Sequence, residues 1–232
     1  MGKMPTCPAD SFTLSRPNTP NGPSSDATDD PETNQRATGP IEDVTAARYL
    51  RPLWTSDKRE KRMAVLPILT YPNPLLKTKA EPVLEVDDSV RQLVEDMAET
   101  MYAAPGVGLA ANQVGILKRI FVIDIADEEE PSDLMVFINP QIVEMDGEQV
   151  FPEGCLSFPG ASENIKRAAT VKVQALDRDG SPFELEADGL LAVAIQHEND
   201  HLDGVLMIDK FGSLKKRKIS RQVQKALAEA QI

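Results

Sequence analysis

Polar and apolar positions change rhythm three times along this chain. Through the first sixty residues no apolar period persists, and seven prolines fall in the first forty positions among Ser, Thr, Asn, Asp and Gly. Such a segment cannot bury enough surface to offset the entropy of ordering it. Residues 1–62 are therefore expected to form a disordered extension, with a helical turn near Val44–Trp54 as its one candidate element, and order is expected from about Met63. Val65, Leu66, Ile68 and Leu69 make a short apolar run that the Pro72 and Pro74 turn ends. Beyond Asp87 or Asp88, either of which suits an N-cap, Val90, Leu93, Val94, Met97 and Met101 recur at helical spacing. That stripe predicts a helix to about Tyr102.

A glycine-bearing loop, Ala104–Gln113, follows, and then the period changes to that of strands. Arg119–Ile125 and Leu134–Asn139 are β-branched and apolar. Asp146-Gly147 reads as a hairpin turn between two extended runs, and Asp179-Gly180 as another between Thr170–Leu176 and Pro182–Glu186. A helix is expected from about Asp188 to Leu202 and a last one over 214–230. Strand runs flanked by helices, without alternation of strand and helix, predict an α+β domain over 63–232.

Composition narrows the class. Two cysteines, Cys7 and Cys155, make no disulfide framework and fit a reducing, cytoplasmic setting. No run approaches the roughly 18 apolar residues that span a bilayer, so no membrane role is expected. The net charge is −12, which argues against DNA binding by the main surface. The charge is uneven: residues 213–232 hold six basic side chains and one acidic. Lys215, Lys216, Arg217, Lys218, Arg221 and Lys225 suit a solvated helix face or docking to a polyanion.

The chemistry gathers in Gln196-His197-Glu198-Asn199-Asp200-His201, which holds both histidines of the chain. On a helix, positions i and i+4 share a face, so both imidazoles can grip one divalent metal. Glu198, about 100° further round, can reach a water on that metal. Catalytic sites of this type take three protein ligands. With no third histidine, the remaining candidates are Cys155 and the carboxylates. Leu190, Val193 and Ala194 precede His197 by seven, four and three residues, so they share its face. They suit core packing or the wall of an apolar pocket beside the metal.

Three separated motifs, GVGLAANQ at Gly106–Gln113, EGCLS at Glu153–Ser157 and QHENDHLDG at Gln196–Gly204, give the chain its resemblance to the peptide deformylases. The likeness extends over about 63–230, and Met63 is where such proteins commonly begin; the preceding residues are thus an extension or the result of a start assigned upstream. The resemblance implies mixed or antiparallel sheets packed around a central HExxH helix, with an N-terminal and a C-terminal helix. It implies hydrolytic removal of the formyl group from the N-terminal formylmethionine of new polypeptides. It makes Cys155, His197 and His201 the ligands of one divalent metal and Glu198 the general acid/base acting on a metal-activated water. Gln113 and the Leu156 N–H would stabilise the oxyanion, with Gly106, Val107, Gly108 and Arg167 contacting substrate and Leu190, Val193 and Ala194 near the methionine side chain. Fe2+ is the implied metal, and Zn2+, Ni2+ or Co2+ would suit the same donors. Formylmethionyl nascent peptides are the implied partners, with ribosomal RNA the polyanion for the basic helix. An HExxH metallopeptidase needs a further ligand downstream, where Glu229 is the one glutamate. A non-catalytic binding module with a structural metal would need a fourth.

Overall fold

The computed structural model describes residues 64–126 and 132–230. The expectations of disorder over 1–62 and of a turn near Val44–Trp54 lie outside the described residues.

Helix α1 spans Asp88–Ala103, and the Asp87 carboxylate accepts the Val90 N–H at 3.0 Å. That bond satisfies one of the amides a first helical turn leaves without a partner. Val90, Val94, Met97 and Met101 are buried along one stripe, as their spacing predicts.

Seven strands follow: β1 (Gly108–Ala110), β2 (Ile120–Ile123), β3 (Met135–Asp146), β4 (Gln149–Gly154), β5 (Ser162–Arg167), β6 (Thr170–Leu176) and β7 (Pro182–Asp188). They form a five-stranded sheet in the order β1-β2-β3-β6-β7 and a two-stranded sheet of β4 and β5. Every pairing between these strands is antiparallel. Helix α2 (Gly189–Leu202) follows β7 directly, and α3 (Ser213–Glu229) closes the described chain. This is the α+β class.

Residues alternate between the faces of a strand, and both faces of β2 are covered. Phe121 and Ile123 join Phe137, Ala192, Ile195 and Leu202 on the α2 side, whereas Ile120 and Val122 join Val90, Met97 and Met101 on the α1 side. A strand buried on both faces reads as an unbroken apolar run, which is why Ile120–Ile123 is so legible. The helix that carries both histidines thus packs on β1, β2, β6 and β7.

Two local expectations change, and one strand, β5, had none. The start of the glycine-bearing loop remains a loop, but Gly108–Ala110 is a strand paired with β2, and Ala111–Val114 makes one 3₁₀ turn. Strand β5 carries no sequence signal because only Ile165 and Arg167 of its six residues are buried. Asp146-Gly147 is a turn but not a hairpin. Asp146 pairs with Thr170 of β6, while Gln149 pairs with Arg167 of β5, so the chain changes sheets there. Gly147 has φ +64, and a Cβ on it would lie 3.0 Å from the Ala169 Cβ in the β5–β6 link. The Asp179-Gly180 hairpin between β6 and β7 is as expected, with Leu176 opposite Pro182.

Candidate metal centre and active site

Two elements bring the ligand set together. The helical repeat of α2 places His197 and His201 on one face, with ring centroids 5.1 Å apart. The end of β4 delivers Glu153, and the turn after it, closed by the Phe158 N–H on the Cys155 carbonyl at 2.8 Å, turns the thiol toward the helix. Ligand atoms of Cys155, His197 and His201 all lie within 4.8 Å of one another, and Cys155 Sγ is 3.2 Å from His201 Nε2. A thiolate and two imidazoles suit a transition-series divalent cation. Such a cation also explains why three donors that rarely seek one another are packed together with His201 only 1% exposed.

The groups around the ligands are fixed in turn. His197 Nδ1 and Glu153 Oε2 are 2.8 Å apart, which leaves Nε2 of that ring for a metal. Arg167 holds Glu153 through two bonds, Nε to Oε1 at 2.7 Å and Nη2 to Oε2 at 2.8 Å. Burial alone would raise the Glu153 carboxyl, but the Arg167 bonds and then His197 outweigh it and hold it down at about 2. Burial pushes the Glu198 carboxyl up to about 7 against the opposing charges of His197 and Arg167. Burial drives His201 well below its ordinary value, whereas His197 rises above it because the Cys155 and Glu153 bonds overcome burial. Those are the pulls of protein groups alone; a bound cation requires neutral imidazoles and a thiolate.

Gln113 is 1% exposed and held at both ends of its amide. Its Oε1 accepts the Ala110 N–H at 2.9 Å, and Nε2 donates to Ser157 Oγ at 3.2 Å and toward Cys155 Sγ at 3.6 Å. Gly106 and Gly108 are not left-handed turn glycines. A Cβ on Gly108 would lie 2.6 Å from Glu198 Oε1, and one on Gly106 would lie 2.8 Å from Leu156 Cδ1. The missing side chains make room for the protein's own Glu198 and Leu156.

One cleft of about 450 Å3 collects most of the residues expected from sequence. Gly106, Val107, Gly108 and Gln113 form one wall, Cys155 and Leu156 a second, and Leu190, Val193, Ala194, His197 and Glu198 the helix side. Phe151, Pro152 and Phe158 also line it, and sequence reading missed them. Phe151 had a signal, since alternation along the strand before Cys155 puts it on the face of Glu153. Arg167 does not line this cleft; its guanidinium is paired with Glu153 and Asp200. Glu153 went unassigned, although a carboxylate two residues before a ligand cysteine suits an imidazole that needs orienting.

An α+β domain with an HExxH helix, a cysteine third ligand and a buried glutamate beside them defines a metal-dependent hydrolase. The sequence profile of the polypeptide deformylase family matches residues 65–217, and the chain belongs to that family. A peptide deformylase of Cellvibrio japonicus is 53% identical over 164 residues, 70% of this chain and 96% of that protein. One of Alkalilimnicola ehrlichii is 48% identical over 170 residues, 73% of this chain and 95% of that protein. Among solved structures, a peptide deformylase from Legionella pneumophila superposes with TM-score 0.68 at 46% identity, covering 72% of this chain and 98% of that one. The Ehrlichia chaffeensis enzyme in complex with actinonin gives 0.67 at 40% identity, covering 70% and 98%.

Proposed function

We propose that this protein hydrolyses the formyl group from the N-terminal formylmethionine of new polypeptides, at one divalent metal held by Cys155, His197 and His201. The observation that carries this reading is the convergence of those three donors, with Cys155, His197 and Glu198 lining one cleft and His201 buried behind them. When bound, the cation supplies Lewis acidity, which makes water acidic near neutrality and polarises the formyl carbonyl. Glu198 takes the proton of the attacking water and returns it to the departing amine. In the metal-free protein burial raises its proton affinity above that of an ordinary glutamate, which favours a group that must take up a proton as well as release one. The Leu156 N–H, and the Gln113 amide when it gives up its long 3.6 Å contact to Cys155 Sγ, serve as donors to the developing oxyanion, each worth about 3 kcal/mol. Leu190, Val193 and Ala194 wall an apolar recess for the methionine side chain, with Gly106, Val107 and Gly108 along the peptide backbone.

Formyl-Met-Ala-Ser and its acetyl analogue, offered to wild type and Glu198→Ala, test this reading. Formyl-selective turnover that disappears in the variant while metal stays bound is expected. Cleavage of internal peptide bonds would instead favour the peptidase, which lacks support here: among the described residues, the three-ligand cluster is completed by Cys155. Metal binding without hydrolysis would favour the binding module.

Ferrous iron is the proposed metal, by likeness to the family, although raw affinity favours zinc. Action on nascent chains gives a cytoplasmic place of work, and no helix among the described residues is long and apolar enough to cross a membrane. Docking to ribosomal RNA falls to α3, where Arg217, Lys218, Arg221 and Lys225 flank one exposed groove. Deleting α3 is a poor test, because Ile219 and Val223 pack with Phe158 under the Cys155 turn. Arg217→Glu with Arg221→Glu should weaken ribosome co-sedimentation in a salt-dependent way; unchanged sedimentation would remove the idea.

A further inference from the structure

A row of alternating charges leads from the metal centre to the surface behind it. Glu153 orients His197 and is gripped by two nitrogens of Arg167. The third guanidinium nitrogen, Nη1, reaches Asp200 Oδ2, and Lys210 Nζ meets that same oxygen at 2.8 Å. The side chains of Glu153 and Arg167 are 3% and 4% exposed, whereas those of Asp200 and Lys210 are 24% and 30% exposed. The signs run minus, plus, minus, plus, and they cancel.

We propose that Asp200 and Lys210 are positioning residues for the metal centre: they hold Arg167, which fixes Glu153, which aims His197. The inference rests on the reading of Cys155, His197 and His201 as metal ligands. Arg167 offers five donors in a rigid plane, and Glu153 takes only one edge of it. Were Asp200 neutral, Nη1 would keep a weaker partner and the plane could tilt, carrying Glu153 with it. Asp200 sits on α2 between the two histidines, so its backbone is as fixed as theirs. Lys210 ends the 3₁₀ turn Met207–Lys210, which buried Met207 and Ile208 anchor and which the Leu206 N–H closes on Asp209 Oδ2 at 3.2 Å. Both ends of the Asp200–Lys210 pair are therefore set by the fold, unlike a surface pair between two free side chains.

Positioning and plain electrostatics predict opposite signs for Lys210. Removing its charge leaves the row more negative, so a purely Coulombic effect would hold a divalent cation more tightly. Loss of positioning would hold it more loosely. The experiment loads the full-length protein with Co2+ and follows the thiolate-to-cobalt absorption after excess chelator is added. Partners behind metal ligands typically cost 10–100-fold in affinity. On that scale Asp200→Asn should release cobalt about tenfold faster and Lys210→Met about threefold faster, with Lys210→Arg restoring the wild-type rate. Release from Lys210→Met at or below the wild-type rate overturns the proposal. So does a lower unfolding midpoint in the metal-free protein with unchanged release, which assigns the pair to stability alone. Absence of a thiolate band in wild type would overturn the metal reading itself, and this inference with it.

Discussion

Helices α2 and α3 are 14 and 17 residues long and both carry many polar side chains, which they place in opposite ways. Helix α2 buries Gln196, His197, Glu198 and His201, whereas α3 buries only Ile219 and Val223 and turns its cations outward. A buried polar group costs free energy unless it is paired, while a solvated lysine costs almost nothing. Polar residues inside α2 are therefore informative in a way that those on α3 are not. Most are paired: Gln196 donates to the Ala192 and Ala168 carbonyls at 2.8 and 3.1 Å and accepts the Ala168 N–H at 3.0 Å. The exceptions are Glu198 Oε2 and His201 Nδ1, which are buried without a hydrogen-bond partner. An unmet carboxylate oxygen in a cleft marks a group kept for chemistry at a cost in stability.

The sharpest way to break that contrast is Glu198→Ala. Loss of a general acid/base should lower kcat by about 10²–10⁴-fold. Removing the unpaired oxygen should leave the metal-free protein as stable as wild type or about 1 kcal/mol more stable. Turnover of the formyl peptide and urea unfolding of the metal-free protein are the two measurements. Retained turnover with lost stability would make Glu198 a structural residue and erase the distinction between the helices.

A smaller effect tests how closely α2 is fitted to its surroundings. In Gly108→Ala the new methyl would lie 2.6 Å from Glu198 Oε1, so the carboxylate must leave its rotamer. An off-rotamer side chain costs about 1 kcal/mol, and kcat should fall about tenfold if that cost is felt in the transition state. KM should move less, since Val107 and Leu190 keep the cleft walls. A change in KM alone would place the strain on the substrate instead of on Glu198.

The same contrast explains what could be read from sequence. Helix α1 is legible because its burial follows a helical period, strand β2 because burial on both faces makes it an unbroken apolar run, and the β6–β7 hairpin because Asp179-Gly180 marks its turn. His197 and His201 stand out in the sequence because they are its two histidines and lie one helical turn apart, whereas Cys155 is singled out from the carboxylates only by the resemblance. Strand β5 was not legible, since its buried positions are Ile165 and Arg167 and the second is chosen for charge. Arg167, expected to contact substrate, is found with its guanidinium on Glu153 and Asp200. Nothing local distinguishes these two uses of an arginine; the partners are 14 and 33 residues away in the chain. The split of β4 from β3 was hidden for a similar reason, because Asp146-Gly147 permits a reversal but does not say which strand lies beyond it.

The weakest expected effect belongs to α3. Glu163 on β5 meets Lys215 at 2.8 Å and Lys218 at 2.9 Å, and this pairing ties the helix to the smaller sheet. Lys215 first, then Lys218, hold the Glu163 carboxyl below its ordinary value. A carboxylate whose folded-state value is depressed adds stability above its unfolded value and loses it as the pH falls through the folded one. Near pH 7 wild type should therefore exceed Glu163→Gln in stability, by less than about 1 kcal/mol because both lysines are partly solvated. The gap should close in acid, where Glu163 is protonated in both folded and unfolded wild type, and it should shrink with added salt. Urea unfolding of the two proteins across that pH range checks it. A gap that survives in acid would assign the contact to packing and not charge. A gap well above 1 kcal/mol at neutral pH would mean that the outward cations of α3 secure the fold as firmly as the buried groups of α2 do, and the contrast between the helices would fail at its other end.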